Sequence, residues 1–132
     1  MSSEFPISND QSGSTRIYDL TERTARFGED VIDFVNSLGK NDINRVLGNQ
    51  VLRSGTGIGA NYMDADEAES KKDFQHKIAL CKKEAKETMH WLRMIVRANS
   101  SRAEDCKKLS QEAGELVRIF SRSLLTSRKK SN

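Results

Sequence analysis

Apolar residues return every three, four or seven positions along most of this chain, the period of helices laid against a common core. The first series is Leu20, Phe27, Val31, Phe34 and Leu38, and Gly39 closes it. Asn41 or Asp42 is placed to cap a second helix, whose buried stripe reads Leu47, Val51, Ser54, Gly55, Ile58 and Tyr62. After an acidic junction of Asp64, Asp66, Glu67 and Glu69, Ser70 and Asp73 form an S-x-x-D capping box directly before Phe74. The third helix then runs to Ala98, about 29 residues and about 43 Å, with Phe74, Ile78, Cys81, Ala85, Leu92 and Val96 on its core side. Asn99, Ser100 and Ser101 interrupt the pattern, and a fourth helix follows with Cys106, Leu109, Ala113, Leu116, Val117, Phe120 and Leu124 on one stripe.

Four helices joined by short turns predict an all-α fold, an antiparallel up-down four-helix bundle. The bundle is expected over residues 17–126, between a disordered tail at 1–16, rich in Ser, Asn, Gly and Gln, and a short basic tail at 127–132. Composition agrees. At 132 residues and 36% apolar the chain can bury one helical core, its single proline is Pro6, and 6% aromatic content argues against a β-rich interior. Gly48, Gly55, Gly57 and Gly59 fall inside the second helix, where each costs about 1 kcal/mol relative to alanine. Gly55 and Gly59 lie one turn apart beside the core stripe, so close approach of a neighbouring helix is the expected compensation.

The overall charge of +3 hides a strong segregation. Residues 1–69 are acidic, whereas between Ser70 and Ala98 eight cations face only Asp73, Glu84 and Glu87. At about 100° per residue, Lys72, Lys82, Lys83, Lys86, His90, Arg93 and Arg97 share one side of the third helix, opposite its apolar series. Clustered cations of this kind suit a phosphate backbone, RNA or DNA, and make Lys72, Lys82, Lys83, Lys86, Arg93 and Arg97 the candidate nucleic-acid contacts, with Arg128, Lys129 and Lys130 in support. The plainer reading is a solvated helix stabilised by Lys83–Glu87 and Asp73–Lys77 pairs. Leu80, Trp91 and Ala98 form a second apolar strip beside Glu84 and Glu87; Leu80 and Trp91 are therefore candidates for an oligomer interface.

Catalytic and cofactor patterns are absent or out of context. Gly55-Thr56-Gly57-Ile58-Gly59-Ala60 has the letters of a dinucleotide fingerprint but continues a helical stripe instead of following a strand. Glu87 and His90 give one E-x-x-H, where a di-iron bundle needs two copies and further glutamates. No serine, cysteine or lysine stands in a nucleophile motif, so neither an enzyme nor a cofactor is expected. Cys81 and Cys106 fall on core faces and read as small hydrophobes. No apolar run of about 18 residues or secretory leader occurs, which predicts a cytoplasmic protein without a membrane partner.

The run Asn44-Arg45-Val46-Leu47-Gly48-Asn49-Gln50-Val51-Leu52-Arg53-Ser54, then Ile58-Gly59-Ala60-Asn61-Tyr62 and Glu69-Ser70-Lys71-Lys72-Asp73-Phe74, resembles the bacterial four-helix-bundle family of 23S rRNA intervening-sequence proteins. Lys83-Glu84-Ala85-Lys86-Glu87-Thr88 and Trp91-Leu92-Arg93 continue the resemblance, which covers about Ile17 to Leu125. That family is similar to the accessory variability determinant proteins of diversity-generating retroelements, basic pentameric barrels that associate with a reverse transcriptase and nucleic acid. The resemblance implies a homopentamer of four-helix bundles that binds RNA or DNA, or alternatively a scaffold that docks a protein such as a reverse transcriptase without touching nucleic acid. It implies no enzymatic activity. Gly57 stands where many members have serine, and members have alanine or serine near Gly55.

Overall fold

A computed structural model describes residues 20–130. Four helices account for nearly all of them: α1 (Leu20–Asn36), α2 (Asp42–Asp66), α3 (Lys71–Ala98) and α4 (Ala103–Lys130), with one 3-10 turn, Ser100–Arg102, between the last two. Consecutive helices pack antiparallel, and α3 lies between α2 and α4. This is the antiparallel four-helix bundle expected from the apolar periodicity. The tail expected at residues 1–16 lies outside the described residues.

The caps form where the sequence places them. Asn41 Oδ1 accepts from the Asn44 amide at 2.8 Å and Ser70 Oγ from the Asp73 amide at 3.0 Å, each occupying a donor that a helix start leaves unpaired. α1 ends at Asn36, before Gly39, yet Leu38 still folds back into the core. α2 continues through the acidic stretch to Asp66, because Ala65 beside it is buried. α4 continues to Lys130, and Gln75 Nε2 of α3 donates to Ser127 Oγ at 2.9 Å; residues 131–132 of the expected basic tail lie outside the described residues.

The core contains Phe27, Val31, Val51, Ile58, Ile78, Cys81, Leu92, Leu116 and Phe120, each almost wholly removed from water. Two residues of α3 missing from the expected stripe, Thr88 and Ile95, are also fully buried, whereas Phe74 and Val96 pack at its edge. Thr88 is buried because its hydroxyl has partners: Oγ1 lies 2.8 Å from Ser54 Oγ on α2 and 2.8 Å from the Glu84 carbonyl.

The glycines of α2 face α1. A β-carbon on Gly48 would lie 3.2 Å from Val35 Cγ1, one on Gly55 2.9 Å from Val31 Cγ2, and one on Gly59 3.3 Å from Thr24 Oγ1. As residue numbers rise on α2 they fall on α1, the antiparallel register, and the absent side chains let Val31 sit directly on the α2 backbone. Gly57 differs, since its β-carbon would meet the Glu84 carboxyl group, 3.3 Å away.

Side chains close the bundle where helices stand further apart. Arg23 donates through Nε and Nη2 to both carboxylate oxygens of Glu112, at 2.7 and 2.9 Å, linking α1 to α4. At one end Asn44 and Asn99 exchange amide hydrogen bonds of 3.0 and 2.9 Å while Asn44 also donates to the Gly39 carbonyl and Asn99 to that of Ile95. The α1–α2 and α3–α4 turns are thereby tied together. Arg102 adds to the same end, stacking 4.9 Å over Phe34 and donating to Ser37.

Gly55→Ala is expected to destabilise the bundle by about 1–2 kcal/mol, because overpacking against Val31 outweighs the roughly 1 kcal/mol gained in helix propensity. Gly57→Ala is expected to stabilise it by about 0.5 kcal/mol, since the Glu84 carboxyl group can swing aside. Denaturant unfolding of the two variants checks this; equal midpoints would show that α1 and α2 are not held at glycine-limited contact.

Candidate nucleic-acid interface

α3 can offer one strip to solvent, because its other sides are taken by the core, by α2 and by α4. Its acids lie on the α2 flank. Arg53 of α2 reaches between them, with Nη1 3.6 Å from Glu84 Oε1 and Nη2 donating to Glu87 Oε1 at 3.3 Å. Lys77 pairs with Asp64 of α2 at 3.8 Å. Among the described residues, the ion pairs of Glu87 and Lys77 thus run between helices, in place of the Lys83–Glu87 and Asp73–Lys77 pairs expected along α3.

Glu84 is the more enclosed acid. Its Oε1 is buried without a hydrogen-bond partner, and burial pushes its carboxyl pKa up, an effect that Glu87 reinforces and Arg53 opposes. Arg53 therefore meets both carboxylates of α3 from the α2 side, with Glu87 at the border of the cationic strip. Sequence reasoning did not single out Arg53, whose only signal was its position one residue before the buried Ser54.

On the opposite side Lys72, Lys82, Lys83, Lys86, Arg93 and Arg97 fall within an arc of about 100°. Five are exposed and Lys82 is half-buried. Among the described residues none of the six has a carboxylate within 4.0 Å. Ala79 sits among them, and its short side chain leaves an open depression of about 410 Å³ walled by Lys82, Lys83, Lys86, Glu87 and His90. The Gln75–Ser127 hydrogen bond sets Arg128 and Lys129 at the same end of the bundle as Lys72, while Gly114 faces Met89 midway along.

Leu80 and Trp91 occupy the α2 flank of α3. Trp91 is half-buried, packed against the intramolecular core, with the His90 ring edge-on to it at 4.9 Å; Leu80 is also half-buried. The large apolar side chains most open to water are elsewhere: Ile43 at 61%, Val46 at 50% and Met63 at 61% on α2, and Leu125 at 57% on α4. Sequence periodicity passed over these residues because they are off the core stripes.

A profile of the 23S rRNA-intervening sequence protein family matches residues 16–122. The chain belongs to that family. A solved structure agrees: a protein of unknown function from the S23 ribosomal protein family of Bacteroides thetaiotaomicron VPI-5482 superposes with a TM-score of 0.73 at 28% identity, covering 79% of this chain and 93% of that one. No curated protein matches the chain significantly. The intervening-sequence family thus supplies a shared bundle, and the surface of α3 has to be read from its own residues.

Other chemistry at the candidate positions is accounted for structurally. Gly55, Gly57 and Gly59 are helical, so the fingerprint-like letters make no phosphate-binding turn. Glu87 of the E-x-x-H is held by Arg53. Among the described residues no helix is long and apolar enough to cross a membrane.

Cys81 and Cys106 are buried free thiols, and burial pushes their pKa values up to about 12 and about 11. A thiol reagent at pH 8 is expected to modify the native protein at least roughly a hundredfold more slowly than the unfolded chain, the thiolate fraction lost over two pKa units. Because the folded chain retains those protons to higher pH than the unfolded chain, stability should fall as pH rises through the ordinary thiol range and beyond. Rapid native labelling would contradict the placement of both cysteines.

Proposed function

We propose that this protein is a non-enzymatic accessory protein that binds the phosphate backbone of RNA or DNA through the exposed strip of α3. The observation that carries the reading is the separation of charge on that helix. Six cations face solvent without carboxylate partners among the described residues, while Glu84 and Glu87 are met from the α2 side by Arg53. A helix needing only solubility gains nothing from such sorting, whereas a polyanion gains a surface whose one bordering acid, Glu87, is paired with Arg53.

Self-association, to the pentamer that the resemblance implies, would multiply this surface and raise affinity through avidity. Since Leu80 and Trp91 are already half-covered, the exposed Ile43, Val46 and Met63 are the more open apolar contacts for it. The same residues favour the second reading, a scaffold that docks a protein such as a reverse transcriptase. That reading expects no nucleic-acid affinity at physiological salt and recovery of one specific protein by affinity capture.

Six phosphate contacts on a duplex give a slope of log K against log salt of about −5, a loss of roughly 1,000-fold between 50 and 200 mM. The variant Lys82→Glu/Lys83→Glu/Lys86→Glu is expected to abolish binding to structured RNA and to DNA while its thermal midpoint stays within a few degrees, the substituted side chains being exposed or half-buried. Unchanged affinity in the folded triple variant would remove the assignment. Light scattering tests the assembly separately, a strict monomer ruling out the avidity argument.

A further inference from the structure

We infer that the α3 strip takes base-paired nucleic acid in preference to single strands, holding a duplex by its phosphates without contact to unstacked bases. This deepens the nucleic-acid reading and rests on it. Proteins that hold single strands combine a basic groove with exposed aromatic rings on which bases stack, each worth about 1–3 kcal/mol. Here no Phe, Tyr or Trp among the described residues stands free on the surface: Phe27, Phe34 and Phe120 are buried, and Tyr62, Phe74 and Trp91 are half-buried against the same core, which leaves the smaller imidazoles of His76 and His90 as the exposed rings of α3. Tyr62 lies 6.3 Å from the Phe120 ring, and the one imidazole on the strip, His90, is held edge-on against Trp91.

The shape of the strip points the same way. From Lys72 to Arg97 the cations follow one continuous helix for about 37 Å. Duplex DNA presents one charge per about 1.7 Å of axis, so that length lies alongside roughly 22 phosphates, several times the six cations available. A rigid rod of this kind meets a rigid duplex without the ordering cost that a flexible strand incurs. The depression over Ala79 is too open to enclose an unstacked base, and lysines form most of its wall. Ammonium groups there suit a phosphate oxygen, from RNA or DNA alike.

The test compares the full-length protein with 20-base-pair RNA and DNA duplexes and with unstructured oligo-U and oligo-dT of equal length, by fluorescence anisotropy at one salt concentration. Duplexes are expected to bind roughly tenfold tighter or more, with different duplex sequences within about threefold of one another. Emission from Trp91, the single tryptophan of the chain, is expected to stay unchanged on saturation. Ala79→Trp, which adds a ring to the strip, is expected to raise single-strand affinity roughly fivefold. Single strands binding as tightly as duplexes, or quenching Trp91 as a stacked base would, overturns this inference and leaves the nucleic-acid reading standing. Absence of binding to either form overturns both.

Discussion

The buried hydrogen bond between Thr88 of α3 and Ser54 of α2, 2.8 Å long, fixes the rotation of α3 about its own axis. Both hydroxyls are shut off from water; each also reaches a carbonyl of its own helix, Glu84 for Thr88 and Val51 for Ser54, so the bond between them adds about 1 kcal/mol of specific contact between α2 and α3. Rotation by a single residue position, about 100°, would separate them and carry lysines toward the core. With that rotation set, each side of α3 has its task. Ile78, Cys81, Leu92 and Ile95 enter the core, Glu84 and Glu87 meet Arg53, and the remaining arc is cationic.

Close contact between α1 and α2 supports this arrangement from behind. Gly48, Gly55 and Gly59 lower the intrinsic helicity of α2, and packing of Val35, Val31 and Thr24 directly on its backbone offsets that loss. The pairing of Asn44 with Asn99 then ties the two turns at one end of the bundle. Together these contacts hold α2, and with it Ser54 and Arg53, in position against α3. Small and polar residues therefore control the geometry, while the larger apolar side chains supply most of the burial.

The proposed function rests on where charges are placed. Arg53 is a stabilising partner for Glu87 and a neighbour of the poorly solvated Glu84, and its positive charge offsets both acids at the α2 border of the cationic strip. Membership of the 23S rRNA-intervening sequence protein family accounts for the fold. In the proposed nucleic-acid reading, the charge separation supplies the polyanion surface and the half-buried or buried Phe, Tyr and Trp rings favour a duplex over a single strand.

Helix number, the Asn41 and Ser70 caps and the apolar stripes were legible in the sequence, because periodicity and capping are local and need only a few neighbouring residues. Gly55 and Gly59 also announced a close contact, and the cationic strip of α3 followed from angular position alone. Which helix met the glycines, and why Thr88 could be buried, became clear only when Val31, Thr24 and Ser54 arrived from elsewhere in the chain. The partners of Glu87 and Lys77 changed for the same reason: local spacing offered pairs along α3, but packing brought Arg53 and Asp64 of α2 within reach. Likewise Trp91, a candidate interface side chain by its position, packs one side against the chain's own core and keeps the other open. The sequence alone determined the elements and the faces they carry; tertiary structure decided which faces meet, because those contacts join residues that lie far apart along the chain.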